Sequence, residues 1–137
     1  SYNNIMESTD GNDKITEKTF FKIKTLLKKK QYMTFKLMGD SMRPLIESNT
    51  LVTLKRVDDI HSLKIFDIVT FFDNRTQIIV CHYFFRQNII DNNMNTRPLN
   101  PIDGQDIPFP PQFLLGKVDN FKINLLLKLK IVFKSFI

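Results

Sequence analysis

The chain has 137 residues, 42% of them hydrophobic, which is enough for one domain with its own core, since chains of this size bury roughly two thirds of the surface they expose when unfolded. The formal net charge is +6, with 20 Lys and Arg against 14 Asp and Glu, a bias towards anionic partners that does not by itself identify one. The single cysteine, Cys81, excludes an internal disulfide, no apolar run approaches the roughly 18 residues of a membrane span, and the first residues lack the apolar core of a signal peptide, so the expectation is a soluble or membrane-peripheral chain.

In chain order, residues 1–13 are polar and acidic and read as a disordered segment. From Lys14 to Tyr32 the apolar residues Ile15, Phe20, Ile23, Leu26 and Leu27 recur at helical spacing, with Asp13 as the expected N-cap. The run Lys28-Lys29-Lys30 suits the negative end of that helix and needs no nucleic acid to explain it. Beyond it the period shortens. Thr34–Met38, Leu51–Arg56, Ile65–Phe72, Gln77–Phe85 and Phe113–Lys117 read as short strands divided by turn residues. Pro98, Pro101, Pro108, Pro110 and Pro111 mark a long irregular loop before the last strand, expected to border the site. The division that follows is a polar segment and helix at 1–33, a mainly β domain at 34–121, and a basic tail at 122–137. That tail alternates lysines with leucine, isoleucine, valine and phenylalanine, and reads either as an amphipathic helix at an anionic membrane surface or as a terminal element packed on the domain.

The most informative stretch is Met38-Gly39-Asp40-Ser41-Met42-Arg43-Pro44. Gly39 allows a backbone conformation closed to other residues, and Pro44 fixes the path out of the turn, so Ser41 is a positioned serine. Taken alone, the stretch reads first as a polar turn between two strands, and other residues must change that reading. Two histidines are available as a base. His61 lies in a polar turn, whereas alternation along Ile78–Phe85 puts Val80, His82 and Phe84 on one face and Ile79, Cys81 and Tyr83 on the other. A histidine on an apolar face is commonly a hydrogen-bonded core residue. Paired with Ser41 it gains a second meaning, because a serine hydroxyl needs a neighbouring base and imidazole titrates near neutrality.

With these residues in place, the sequence resembles the superfamily of signal peptidases and SOS-repressor self-cleaving domains. Gly39, Ser41, Met42 and Pro44 match its Gly-x-Ser-Met-x-Pro pattern; Glu47–Leu54 stands at its turn and strand, with Asn49 in place of glycine; and Phe66-Asp67-Ile68-Val69-Thr70-Phe71 resembles its Gly-Asp-Ile-Val-x-Phe strand without the glycine. Val80-Cys81-His82-Tyr83 looks like the base-bearing strand, and Leu115-Gly116-Lys117-Val118 like the closing strand. The resemblance runs from about Thr34 to Phe121. Its departures are Tyr83 where the family has arginine after the base, and Thr96-Arg97-Pro98-Leu99 at the family's Thr-Lys-Gly-Asp segment. No lysine lies between His82 and Lys117, and Lys64 precedes the base-bearing strand, so the Ser-His branch, archaeal, endoplasmic-reticulum and sporulation-type, fits better than the Ser-Lys branch.

The resemblance implies a coiled β-sheet domain with an N-terminal amphipathic helix, and a serine endopeptidase acting on a peptide or protein substrate without metal or cofactor. In that reading Ser41 is the nucleophile and His82 the general base. Gly39 and Met42 stand at the substrate and oxyanion side, where Met42 either lines the cleft or fills the core. An aspartate of the proline-rich loop orients His82, with Asp103 preferred narrowly over Asp106. Asp67 belongs to a structural turn. Self-cleavage of the repressor type is disfavoured, because the chain has no alanine and its one cysteine follows Ser41. The competing reading is a catalytically silent β module that binds a peptide, a membrane surface or a nucleic acid. Its nucleic-acid version is the weaker, because most of the 13 phenylalanines fall in strand patterns that read as core rather than as stacking platforms.

Overall fold

In the computed structural model, residues 14–100 and 106–134 are described. The reading of residues 1–13, and with it the cap at Asp13, lies outside them. The first helix, α1, spans Glu17–Lys30 and is capped by Thr16, whose side chain accepts the backbone N–H of Thr19. It is shorter at both ends than its apolar period suggested. Ile15 precedes the cap and donates its N–H to the Gln77 carbonyl at 2.8 Å, while Gln31 closes the helix at φ 70 with its N–H on Leu27 O. Lys28, Lys29 and Lys30 occupy the last turn, where the helix dipole favours cations.

Six strands follow: β1 Tyr32–Leu37, β2 Thr50–Lys55, β3 Ile68–Asp73, β4 Ile78–Gln87, β5 Met94–Arg97 and β6 Leu114–Val118. They form one antiparallel sheet in the order β1-β2-β6-β3-β4-β5. The mainly β architecture agrees with the sequence pattern. The addition is β5, which lies just before the proline-rich loop in a stretch with no predicted strand. A second helix, α2, spans Leu125–Lys134, and no helix among the described residues is long and apolar enough to cross a membrane.

α1 lies on one face of the sheet because Phe20, Ile23 and Leu27, all buried, form its apolar stripe. Phe20 stacks on Phe72 of β3 at 5.1 Å between ring centres, and Phe113 meets both rings edge-on. The helix crosses β6 so closely that a Cβ on Gly116 would lie 2.8 Å from Leu27 Cδ2 and 2.9 Å from the Lys55 carbonyl oxygen. Glycine at 116 therefore sets how near the helix comes to the sheet. On the opposite face Phe109 stacks on Phe71 at 4.1 Å. β3 is consequently buried on both sides from Ile68 to Phe72, and the second face is where His82 sits.

Candidate functional site

Ser41 lies in the connection between β1 and β2, which several local bonds hold in place. Gly39 takes φ 92, a conformation that strains any residue with a Cβ, and its N–H donates to Ser48 Oγ at 3.1 Å. A turn closes from Arg43 N–H to the Asp40 carbonyl, and the Arg43 side chain pairs with Glu47 at 3.0 Å. From across the chain, Asn100 donates its N–H to the Ser41 carbonyl at 2.9 Å and its side-chain amide to the Asp40 carbonyl at 3.3 Å. Neither Ser48 nor Asn100 was singled out from the sequence. Small polar residues in loops carry no periodic signal, and their role depends on contacts that only the fold creates.

His82 stands in the middle of β4 opposite Val69 and is almost wholly buried. The ring is packed edge-on against Phe71 at 6.0 Å. Its Nδ1 donates to Oδ2 of Asp106 at 2.5 Å, and the same oxygen accepts the Thr96 hydroxyl at 2.6 Å. An ionised carboxylate only accepts, so this contact assigns the proton to Nδ1 and makes Nε2 the nitrogen able to take a proton. The histidine and aspartate side chains are only 7% and 14% exposed, which strengthens their attraction relative to a pair in water. Thr96 is brought to this position by β5, and Asp106 by a bridge between Met94 and Phe109 that lays the proline-rich segment beside that strand.

Ser41 and His82 line one cleft of about 540 Å³, together with Gly39, Asp106, Phe71 and Pro108. The Ser41 hydroxyl donates to the carbonyl of Cys81, the residue before His82, at 3.4 Å. The structure thus gathers the serine, the histidine and a loop carboxylate at one opening, and the proline-rich loop borders it as expected. The carboxylate on the ring is Asp106, the second choice from sequence; Asp103 lies outside the described residues. Of the two readings of Met42 the structure shows core filling: its side chain is fully buried and absent from the cleft wall, unlike Gly39, which lines it. His61 is exposed in a short 3-10 turn at Ile60–Ser62 and has no part in the cleft.

No lysine lines the cleft among the described residues. Lys64 is exposed, and Lys117 pairs with Asp67 at 3.4 Å. Asp67 also accepts the Lys64 N–H at 2.8 Å, as a carboxylate belonging to a structural turn does. Cys81 is buried, and desolvation pushes its thiol up to about 12, so it stays protonated and unreactive beside the histidine. Comparison of the chain with protein-family models, with curated proteins and with solved structures gives no match in any of the three.

Proposed function

We propose that the protein is a serine endopeptidase of signal-peptidase type, with Ser41 as nucleophile, His82 as general base and Asp106 as the group that orients the imidazole. The observation that carries the reading is the hydrogen-bonded chain Thr96, Asp106, His82 ending in the cleft that Ser41 also lines. A histidine fixed by a carboxylate at one nitrogen, opening on the same cleft as a positioned serine, supplies the groups that general-base activation needs.

In this mechanism Nε2 of His82 takes the Ser41 proton as Oγ attacks the peptide carbonyl. The imidazolium, stabilised by Asp106, then gives that proton to the departing amine. Water, deprotonated by the same nitrogen, attacks the acyl-serine ester and releases the second product. The Ser41 N–H would donate to the carbonyl oxygen as it gains charge, by resemblance to the family. Ser41 must exchange its long bond to the Cys81 carbonyl for one to His82, and catalytic hydrogen bonds commonly tighten in this way once substrate is bound.

Backbone geometry supports the signal-peptidase fold at two positions where this chain has lost the family's glycines. Asn49 has φ 70 and Phe66 has φ 76, so the left-handed conformation persists with a side chain present. Asparagine tolerates that region; for a bulky residue such as Phe66 it is a marked exception. Phe66 is held by its N–H on the Phe84 carbonyl at 2.9 Å. The test is fluorophosphonate labelling together with cleavage of peptides bearing small residues at the cleavage boundary. Both activities are expected in the wild type and lost in Ser41→Ala. A folded wild type that neither labels nor cleaves would instead be the silent β module.

A further inference from the structure

Helix α2 presents an unusual outer surface. Leu125, Leu126, Leu129, Val132 and Phe133 are all exposed, with Leu125 at 71% and Phe133 at 62%. At 3.6 residues per turn these five fall within one arc of roughly 120°. Leu127 and Ile131 lie on the far side of the helix and pack against the core, so the exposed arc is a second apolar face rather than a helix turned the wrong way. Lys128 borders the arc on one side and Lys130 on the other, with Lys134 next to Lys130. The Lys128 ammonium also lies 5.6 Å from the Phe66 ring centre, which ties the helix to the start of β3.

We infer that this face of α2 docks on an anionic lipid surface, with the five apolar side chains in the acyl boundary and the lysines at the headgroup phosphates. Charge decides between occupants. From Asn120 to Lys134 the chain carries Lys122, Lys128, Lys130 and Lys134 and no acidic residue. Two copies meeting through this face would bring these lysines together, whereas an anionic membrane neutralises them. An interfacial helix needs an apolar face flanked by lysines whose stems reach along it while their charges stay in water, and α2 supplies both borders. The inference rests on the surface of α2 alone and stands whether or not Ser41 is a nucleophile.

The experiment is co-sedimentation of the full chain with vesicles of phosphatidylcholine, either alone or with about one third phosphatidylserine. Sedimentation with the anionic vesicles, weakened by added salt, is expected. The exposed-face variant Leu125→Gln/Leu129→Gln/Phe133→Gln should lose at least about tenfold in partitioning, and Lys130→Gln/Lys134→Gln about fivefold per lysine. All five positions are solvent-exposed, so both variants should keep the wild-type circular dichroism and melting temperature. The inference is overturned by equal partitioning of all three proteins, by equal binding to phosphatidylcholine alone, or by no binding at all. Concentration-dependent self-association abolished by the leucine and phenylalanine changes would also overturn it, by placing a second copy on this face.

Discussion

The Thr96 hydroxyl and His82 Nδ1 converge on a single oxygen, Oδ2 of Asp106, at 2.6 and 2.5 Å. Thr96 is buried, so its hydroxyl has a defined partner and Asp106 a fixed orientation. On the proposed mechanism this makes Thr96 a positioning residue. Thr96→Val keeps the shape and removes the donor, and hydrogen bonds to charged groups contribute about 1.5–3 kcal/mol, so turnover should fall about tenfold or more. Thr96→Ser should restore most of it. Unchanged kcat in Thr96→Val, with unchanged thermal stability, would show that Asp106 needs no such support.

Asp106 itself should matter more. Asp106→Asn keeps the size but presents a neutral amide to the ring, which no longer fixes the tautomer or stabilises the imidazolium. A loss of about 10⁴ in kcat is expected, with the fold kept. If Ser41 and His82 act as a unit, as proposed, Ser41→Ala and His82→Ala should each abolish cleavage, and the double variant should lose little more than either. Full activity in His82→Ala would remove histidine as the base.

Much of this site was legible because the relevant signals are local. Alternation along β4 put His82 on the face opposite Cys81, and Gly39 before Ser41 marked a constrained turn, which its φ of 92 bears out. The choice between Asp103 and Asp106 was not legible. Which carboxylate meets the ring depends on the Met94–Phe109 bridge, a pairing between two loop-like stretches with no periodic pattern on either side. For the same reason no strand is predicted at β5: its four residues follow an Asn-rich turn, and only Met94 and Thr96 point inward. The tail stayed ambiguous because a run such as Leu125-Leu126-Leu127 is apolar all round, and only packing tells which face turns inward.

The two glycines with distinct roles should respond differently to alanine. At Gly116 the added methyl meets the end of the Leu27 side chain and the Lys55 carbonyl of β2, both at under 3 Å; Leu27 can turn aside, but the carbonyl can be cleared only by moving the backbone of β2 or β6, and a loss of about 1–3 kcal/mol in urea unfolding is expected. At Gly39 the space is open, and the cost is the left-handed backbone alone, about 1–2 kcal/mol. The sharper difference is functional. Gly39→Ala shifts the Ser41 turn and should lower kcat at temperatures where the protein is fully folded, whereas Gly116→Ala should lose activity only in proportion to unfolding. Parallel loss of stability and activity in both would deny Gly39 a special role.

Cys81 gives a pH dependence of fixed sign. Burial raises its thiol to about 12 from the ordinary value of 9.0, so between those two pH values the unfolded chain releases a proton that the folded chain keeps. The folded state then binds more protons than the unfolded one, and stability falls as pH rises, at up to about 1.4 kcal/mol per pH unit from this group. Tyr83, also raised chiefly by burial, adds a slope of the same sign. Cys81→Ala removes only the cysteine part. Urea unfolding at pH 8, about 9.5 and about 11 should therefore give a shallower decline in Cys81→Ala than in wild type, whatever the offset from the small cavity left behind. A second readout is independent of stability: at pH about 9 the native thiol should alkylate at least 100-fold more slowly than in urea, because thiolate is the reactive form. Equal slopes and rapid native alkylation together would mean that β4 opens to solvent at Cys81, one residue from the proposed base.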